Sequence, residues 1–298
     1  MSFESYVFRK MCAKSDKKRD KGLKIPADVE YIRNLSYGEH KKYHLLDLCM
    51  PKTQEHLGVD SVRKKLPVIV SVHGGGYVYG SKEVYQFYAA SLAQKGYAVI
   101  NHNYRLAPEY RFPAPIEDLV SVLNWLVKNS EQYSFDLNKV FLVGDSAGAQ
   151  IALQYGAIYS NRDYESIMQV THPAVKIIGL GLCCGSYDLK KRIETEGLKG
   201  VLKDYLTVNP SVFGEKLDVF EALTDKFPPS FLFSSYGDFL LNECQLMAEV
   251  LSSKGVCCEY KIYGTEQTGH VFHVDMRNEF GTEANSDMIS YFNKLIEE

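Results

Sequence analysis

Short apolar runs alternate with amphipathic stretches along most of the chain. That alternation predicts strands separated by helices. Residues 31–36 and 43–49 read as two strands; in the second, Tyr43, Leu45, Asp47 and Cys49 alternate with His44, Leu46 and Leu48. Residues 51–65 are polar and read as a loop, and 66–72 as a buried strand that ends in His73-Gly74-Gly75-Gly76-Tyr77. Residues 81–95 place Tyr85, Tyr88, Ala89 and Leu92 on one helical face, and Gly96 stops that helix. A strand at 97–103 follows, then a helix at 116–128 introduced by Pro113 and Pro115. Residues 140–143 form an apolar strand that turns at 144–148 into a helix with Ile151, Tyr155 and Ile158 on one face. Strands at 175–183, 231–235 and 257–263 and helices at 242–254 and 283–298 complete the pattern, the last helix burying Met288, Ile289, Phe292 and Leu295/Ile296. Such alternation implies parallel βαβ units with helices on both sheet faces. A ligand is then expected at the carboxyl ends of the strands.

Two segments depart from the pattern. Residues 1–24 begin with Phe3, Tyr6, Val7 and Met11 at helical spacing, then run into a stretch rich in Lys and Arg from 14 to 24. We read an amphipathic helix leaning its apolar side on the body, with a solvated basic end. Its short apolar face disfavours membrane attachment. Residues 186–227 are charged, helix-prone and longer than a crossover needs, and Pro228-Pro229 ends them; they read as an insertion.

Composition changes this picture little. With 298 residues, 45% of them hydrophobic and 24% charged, the chain suits one large α/β domain with insertions. A formal net charge of -3 points to neither nucleic acid nor an anionic membrane as partner. The seven cysteines are odd in number, include two adjacent pairs and form no C-x-x-C, which argues against a disulfide framework and a zinc site. A reducing cytoplasm is the expected location. The sequence shows no apolar h-region of a secretion signal and no run long enough to span a membrane.

The chemistry gathers at the strand ends. Gly144-Asp145-Ser146-Ala147-Gly148, between strand and helix, has the G-x-S-x-G form that exposes a nucleophilic serine on a strained turn. The glycines after 66–72 can aim backbone N–H groups at a developing oxyanion. A phosphate-binding role is poor, because no Lys-Ser/Thr follows them and the G-x-G-x-x-G spacing is absent. A serine nucleophile needs a base, and in a fold of this kind the order is serine, acid, histidine. His172, His270 and His273 follow Ser146; His172 precedes a strand and so lies at the wrong end of the sheet. His270 sits in a loop after the last strand, with His273 three residues on as its rival. Asp238 emerges at a strand's carboxyl end; Asp188 is the alternative, and Glu243 is more simply a helix-start charge.

In the order HGGGYVYG, YRLAPEYRFPAPIED, GDSAGA, GDFLLNE and GHVFH, from His73 to His270, these stretches resemble the hormone-sensitive-lipase-like branch of the α/β-hydrolases, which includes bacterial acetyl esterases and carboxylesterases. The resemblance implies an α/β-hydrolase fold: a mostly parallel central sheet flanked by helices, with a small helical cap. It implies a cap segment at 1–30, a core at 31–185 and 228–298, and a cap insertion at 186–227. It assigns catalysis to Ser146, Asp238 and His270, the oxyanion hole to Gly75, Gly76 and Ala147, and structural roles to Arg105 and Asp118. His73 is expected to shape its loop. The family's usual proline after the acid is Phe239 here. Tyr77, Tyr79, Tyr85 and Tyr187 are candidate pocket residues, although aromatics at such spacings also build cores.

The expected function is serine carboxylesterase action on short-chain, acetyl-type esters of small molecules, through an acyl-enzyme. An amide-bond hydrolase with the same triad, or a silent ligand-binding relative, are the alternatives. No metal or cofactor is expected, no nucleic-acid or membrane partner, and a homodimer is possible. Neither cap segment is expected to expose a broad apolar face: 14–24 is almost wholly polar, and Leu198, Val201, Leu202 and Leu206 supply just one inward helix face.

Overall fold

The computed structural model describes residues 1–52, 65–206 and 213–297. Helix α1 (Phe3–Arg19) precedes strands β1 (Val29–Ser36), β2 (Leu45–Pro51) and β3 (Leu66–Val72). Then come α2 (Gln86–Ala93), β4 (Ala98–His102), α3 (Ala114–Lys128), α4 (Ser130–Tyr133), β5 (Phe135–Asp145), α5 (Ala147–Ser160), α6 (Arg162–Met168) and β6 (Ile177–Cys183). The segment between β6 and β7 holds α7 (Leu189–Glu196), α8 (Gly200–Tyr205) and α9 (Val219–Ala222). Strand β7 (Ser230–Ser235), α10 (Leu241–Ser253), β8 (Cys258–Tyr263) and α11 (Glu279–Glu297) close the chain. Among the described residues, eight strands form one sheet in the order β1-β2-β4-β3-β5-β6-β7-β8. β1 and β2 run antiparallel to their neighbours, and the other pairs are parallel.

Alternation along the strands splits the core into two layers. Val68, Val70, Leu142, Leu180 and Leu232 point to the face covered by α3, α5 and α10. Ile69, Phe141, Val143, Phe231 and Phe233 point to the face covered by α2 and α11. A sheet buried on both sides is why its strands read as near-continuous apolar runs.

The boundaries differ from the expected ones for local reasons. The helix expected over 81–95 begins at Gln86. Before it, Lys82 gives its N–H to Asn103 Oδ1 (2.7 Å) and its carbonyl accepts from Asn101 Nδ2 (2.7 Å), so side chains take backbone groups a helix would need. The strand expected at 140–143 extends back to Phe135, which pairs with Leu66 at the sheet's far end. Helix α11 starts at Glu279 instead of 283, where Asn278 Oδ1 accepts the Gly281 N–H (3.0 Å). Of the loop expected at 51–65, residues 53–64 lie outside the described residues, as do 207–212 of the expected insertion.

Helix α1 forms where its sequence predicts one but turns the opposite way. Phe3, Tyr6, Val7 and Met11 face outward, Phe3 being 77% and Met11 67% exposed. The docked side is mostly polar, with Phe8 packed against the core. Arg9 donates to the carbonyls of Val78 and Ala107, Arg19 to that of Val84 (2.7 Å), and Tyr79 Oη donates to Asp16 Oδ2 (2.7 Å). Ser2 adds its N–H and hydroxyl to Asp204 Oδ2 (2.7 and 2.9 Å), tying the helix start to α8. Loop carbonyls on the body left without partners would be costly, so the helix meets them with donors rather than hydrocarbon.

Candidate active site

The turn after β5 sets Ser146 at φ +52°, ψ −117°, outside the regions an L-residue prefers. Close packing enforces that turn. A Cβ at Gly148 would run into the carbonyls of Val72 and His73, so only glycine lets α5 approach β3 here. Nearly all of α5 is buried, from Ala147 to Ile158, which anchors the serine on a rigid element. Ala147 opens that helix, and a first-turn N–H has no acceptor within its own helix.

Three side chains from three strand ends meet at the serine. Ser146 Oγ lies 3.0 Å from His270 Nε2, and His270 Nδ1 lies 2.8 Å from Asp238 Oδ1. The acid side is fully enclosed: Asp238 also accepts from the Leu240 N–H (2.9 Å) and from Ser234 Oγ (2.7 Å). Burial raises the Asp238 pKa, but the bonds from His270, Leu240 and Ser234 outweigh it and lower the carboxyl to about 2. A carboxylate fixed on Nδ1 keeps the ring proton there and leaves Nε2 free to accept from the serine hydroxyl.

The rivals stand elsewhere. His273 is buried among Tyr88, Phe233 and Phe272, where burial pushes it down to about 3. His172 pairs with Glu165 (2.8 Å), Asp188 caps α7 by accepting the Lys191 N–H (2.9 Å), and Glu243 accepts the Tyr187 N–H (2.9 Å).

The glycine loop follows β3 and faces Ser146. Gly75 and Gly76 have φ of +116° and +59°. Their N–H groups donate to no acceptor among the described residues. His73 holds the loop from behind, with Nδ1 2.8 Å from the Gly74 carbonyl and its ring stacked on Tyr104 at 4.1 Å. Arg105 and Asp118 form a close pair, Nε to Oδ1 at 2.8 Å, with the Arg105 N–H also on Asp118 (2.6 Å).

A cavity of about 410 Å³ opens on this site. Its wall includes Ser146, His270, the glycine loop, Phe8, Cys12, Asp16 and Arg19 of α1, and Arg192, Val201 and Leu202 of α7 and α8. Tyr77, Tyr79 and Tyr85 line it, but Tyr187 does not. Tyr187 is buried beneath the turn at Gly185, where a Cβ would strike its ring. Tyr77 stacks on Tyr205 at 3.8 Å with parallel rings.

Several residues here carry no motif. Tyr85 Oη donates to Asp145 Oδ2 (2.7 Å) and accepts the Gly74 N–H (3.0 Å), clamping the glycine loop to the serine turn. Burial is the main cause that raises the Asp145 carboxyl to about 6. Tyr77 Oη donates to Gln150 (3.2 Å), Gln150 to Gln154 (2.8 Å), and Gln154 to the Lys216 carbonyl (2.7 Å), a buried chain from the cavity wall to the 186–227 segment. Arg9, Cys12, Asp16 and Arg19 recur at helical spacing, the signal that a polar face of α1 turns inward. Cys184, Asp238 and His270 bring donor atoms within 4.8 Å of one another. Burial holds the Cys184 thiol protonated, and the acid and imidazole are bonded to each other, so the group is poorly set to ligate a metal.

Residues 69–274 match the profile of a family described as alpha/beta hydrolase fold. Tuliposide A-converting enzyme 2, chloroplastic, of Tulipa gesneriana is 29% identical over 239 residues, covering 72% of this chain and 59% of that protein. An acetyl esterase of Salmonella schwarzengrund (strain CVM19633) is 26% identical over 210 residues, covering 66% of this chain and 62% of that protein. The chain thus spans about three fifths of the length of the curated relatives it matches. Esterase B from Lactobacillus rhamnosis, solved with a tributyrin phosphonate, shares the fold at a TM-score of 0.87 and 24% identity, covering 99% of this chain and 94% of that one. No helix among the described residues is long and apolar enough to cross a membrane. The profile takes in the glycine loop, the serine turn, Asp238 and His270 on one mostly parallel sheet, and the chain belongs to the hormone-sensitive-lipase-like family of α/β-hydrolases.

Proposed function

We propose that this chain is a serine carboxylesterase that hydrolyses short-chain, acetyl-type esters of small molecules through an acyl-enzyme. The observation that carries this reading is the unbroken run Ser146 Oγ–His270 Nε2–Nδ1–Asp238 Oδ1, at 3.0 and 2.8 Å, opening on the glycine loop. In the reaction, Ser146 Oγ attacks the ester carbonyl carbon as its proton passes to His270 Nε2. The carbonyl π pair moves onto oxygen, where the N–H groups of Gly75, Gly76 and Ala147 receive it. Collapse breaks the bond to the alcohol, which leaves with the proton from His270. Water then attacks the acyl-enzyme, giving a proton to His270, and Ser146 takes it back as the acid departs. Asp238 stays ionised throughout and stabilises the imidazolium. The acetyl esterase among the relatives supports the acyl class. The two segments 1–30 and 186–227 act as the cap, and the seven unpaired cysteines suit a reducing compartment.

A cavity of about 410 Å³, closed on one side by α1 and α8, limits the acyl chain. Each CH₂ that fits gains about 0.8 kcal/mol, roughly fourfold in rate, until the wall is reached. A p-nitrophenyl ester series should therefore give kcat/KM peaking between acetate and hexanoate and falling steeply by decanoate. The matched p-nitroanilides should turn over far more slowly. Preference for palmitate esters would refute the chain-length claim, and faster anilide turnover would make the protein an amidase.

A further inference from the structure

The outward face of α1 carries an apolar patch followed by a basic one. Phe3 is 77%, Tyr6 48%, Val7 36% and Met11 67% exposed. Along the same side stand Lys10, Lys14, Lys17, Lys18 and Lys21, all exposed. Acids offset little of this charge. Asp16 and Asp20 both pair with Arg19, at 2.9 and 2.7 Å, which leaves Glu4 as the exposed acid of the helix. The fold does not need this apolar face, because α1 is held by its polar side, through Arg9, Asp16 and Arg19. Phe239, in the wall of the same cavity α1 lines, is also 77% exposed, and nearby Tyr236 is 55% exposed.

We propose that α1 docks this protein on an anionic lipid surface. Its first turns sink Phe3, Tyr6, Val7 and Met11 to the headgroup–acyl boundary, and the lysines that follow meet the anionic headgroups. Charge decides the occupant. A twofold contact with a second copy centred on the lysines brings like charges together. An anionic surface neutralises them without demanding a matched shape, which suits long, separately exposed lysine stems. The apolar face spans about two and a half turns, so attachment is reversible and leans on the lysines. The cavity that the inner side of α1 and Phe239 line would then lie close to that surface. The inference rests on the outward face alone and stands whether or not the cavity hydrolyses esters.

The test is co-sedimentation of the full chain with vesicles of phosphatidylcholine alone, or with about one-third phosphatidylserine, at low and high salt. The wild type should partition at least about tenfold more strongly onto the anionic vesicles, and salt should reverse this. Phe3→Ser with Met11→Ser, and separately Lys14→Glu with Lys17→Glu and Lys18→Glu, should each cut that partition about tenfold or more. Both variants should keep the wild-type melting temperature and vesicle-free turnover of p-nitrophenyl acetate. Equal partition onto both vesicle types, or variants that bind as the wild type does, would overturn the proposal. So would a dimer in vesicle-free buffer that Phe3→Ser with Met11→Ser dissociates, since the face then belongs to a second copy.

Discussion

Asp145 shows how much of this site depends on one buried carboxyl. It sits between the glycine loop and the serine, held by Tyr85, with its pKa raised to about 6. A folded-state pKa above the unfolded value means the folded chain holds a proton that the unfolded chain releases. Its contribution to stability is therefore present at about pH 4 and lost as pH rises to about 6. Asp145→Asn removes that loss. Thermal unfolding of the variant and wild type should show a difference that moves in the variant's favour from about pH 4 to 6 and levels off above, by up to about 3 kcal/mol at about 1.4 kcal/mol per pKa unit. A difference independent of pH would show that Asp145 does not titrate in that window. Neither this carboxyl's environment nor Ser234 beneath Asp238 is legible in the sequence, because each depends on neighbours far along the chain. Ser146 and the glycine loop are legible because local backbone geometry demands glycine and a turn there. His270 and Asp238 are legible mainly through the order of motifs. Tyr187 was misleading for a physical reason: a tyrosine just past a strand end can point into the core as readily as into a cavity.

At the scale of elements, the strands are legible because burial on both sheet faces makes them continuous apolar runs. Helix ends are less so, since side chains such as Asn103 and Asn278 decide them. Helix α1 is the instructive case. Its periodicity predicts a helix, but which side turns inward depends on the carbonyls of Val78, Val84 and Ala107, which no local pattern reveals. Arg19 joins this helix to the rim of the cavity, through Val84, and is mostly buried beside Asp16 and Asp20. Arg19→Ala removes a charged hydrogen bond worth about 1.5 kcal/mol or more. Turnover of p-nitrophenyl butyrate should then lose about tenfold in kcat/KM, carried by KM, with little change in kcat. Unchanged kinetics would mean that α1 does not wall the substrate site.

At the scale of the whole molecule, the sheet brings the ends of β3, β5, β7 and β8 to one edge. A glycine loop, a serine, an acid and a histidine drawn from about 200 residues of chain converge there because parallel strands share a carboxyl end. Family and fold follow from that order, whereas the proposed acyl preference rests on the cavity wall that α1, α7 and α8 supply. The central claim is that Ser146 is the nucleophile of an ester hydrolase. Labelling with a fluorophosphonate, followed by peptide mass mapping and turnover of p-nitrophenyl acetate, tests it most directly. One adduct on Ser146 should appear in step with loss of activity. Ser146→Ala and His270→Ala should each retain the fold, take no label and leave only about 1000- to 10,000-fold over the uncatalysed rate, with the double variant no worse. An adduct at another residue, or a tenth of wild-type activity surviving in Ser146→Ala, would contradict the account.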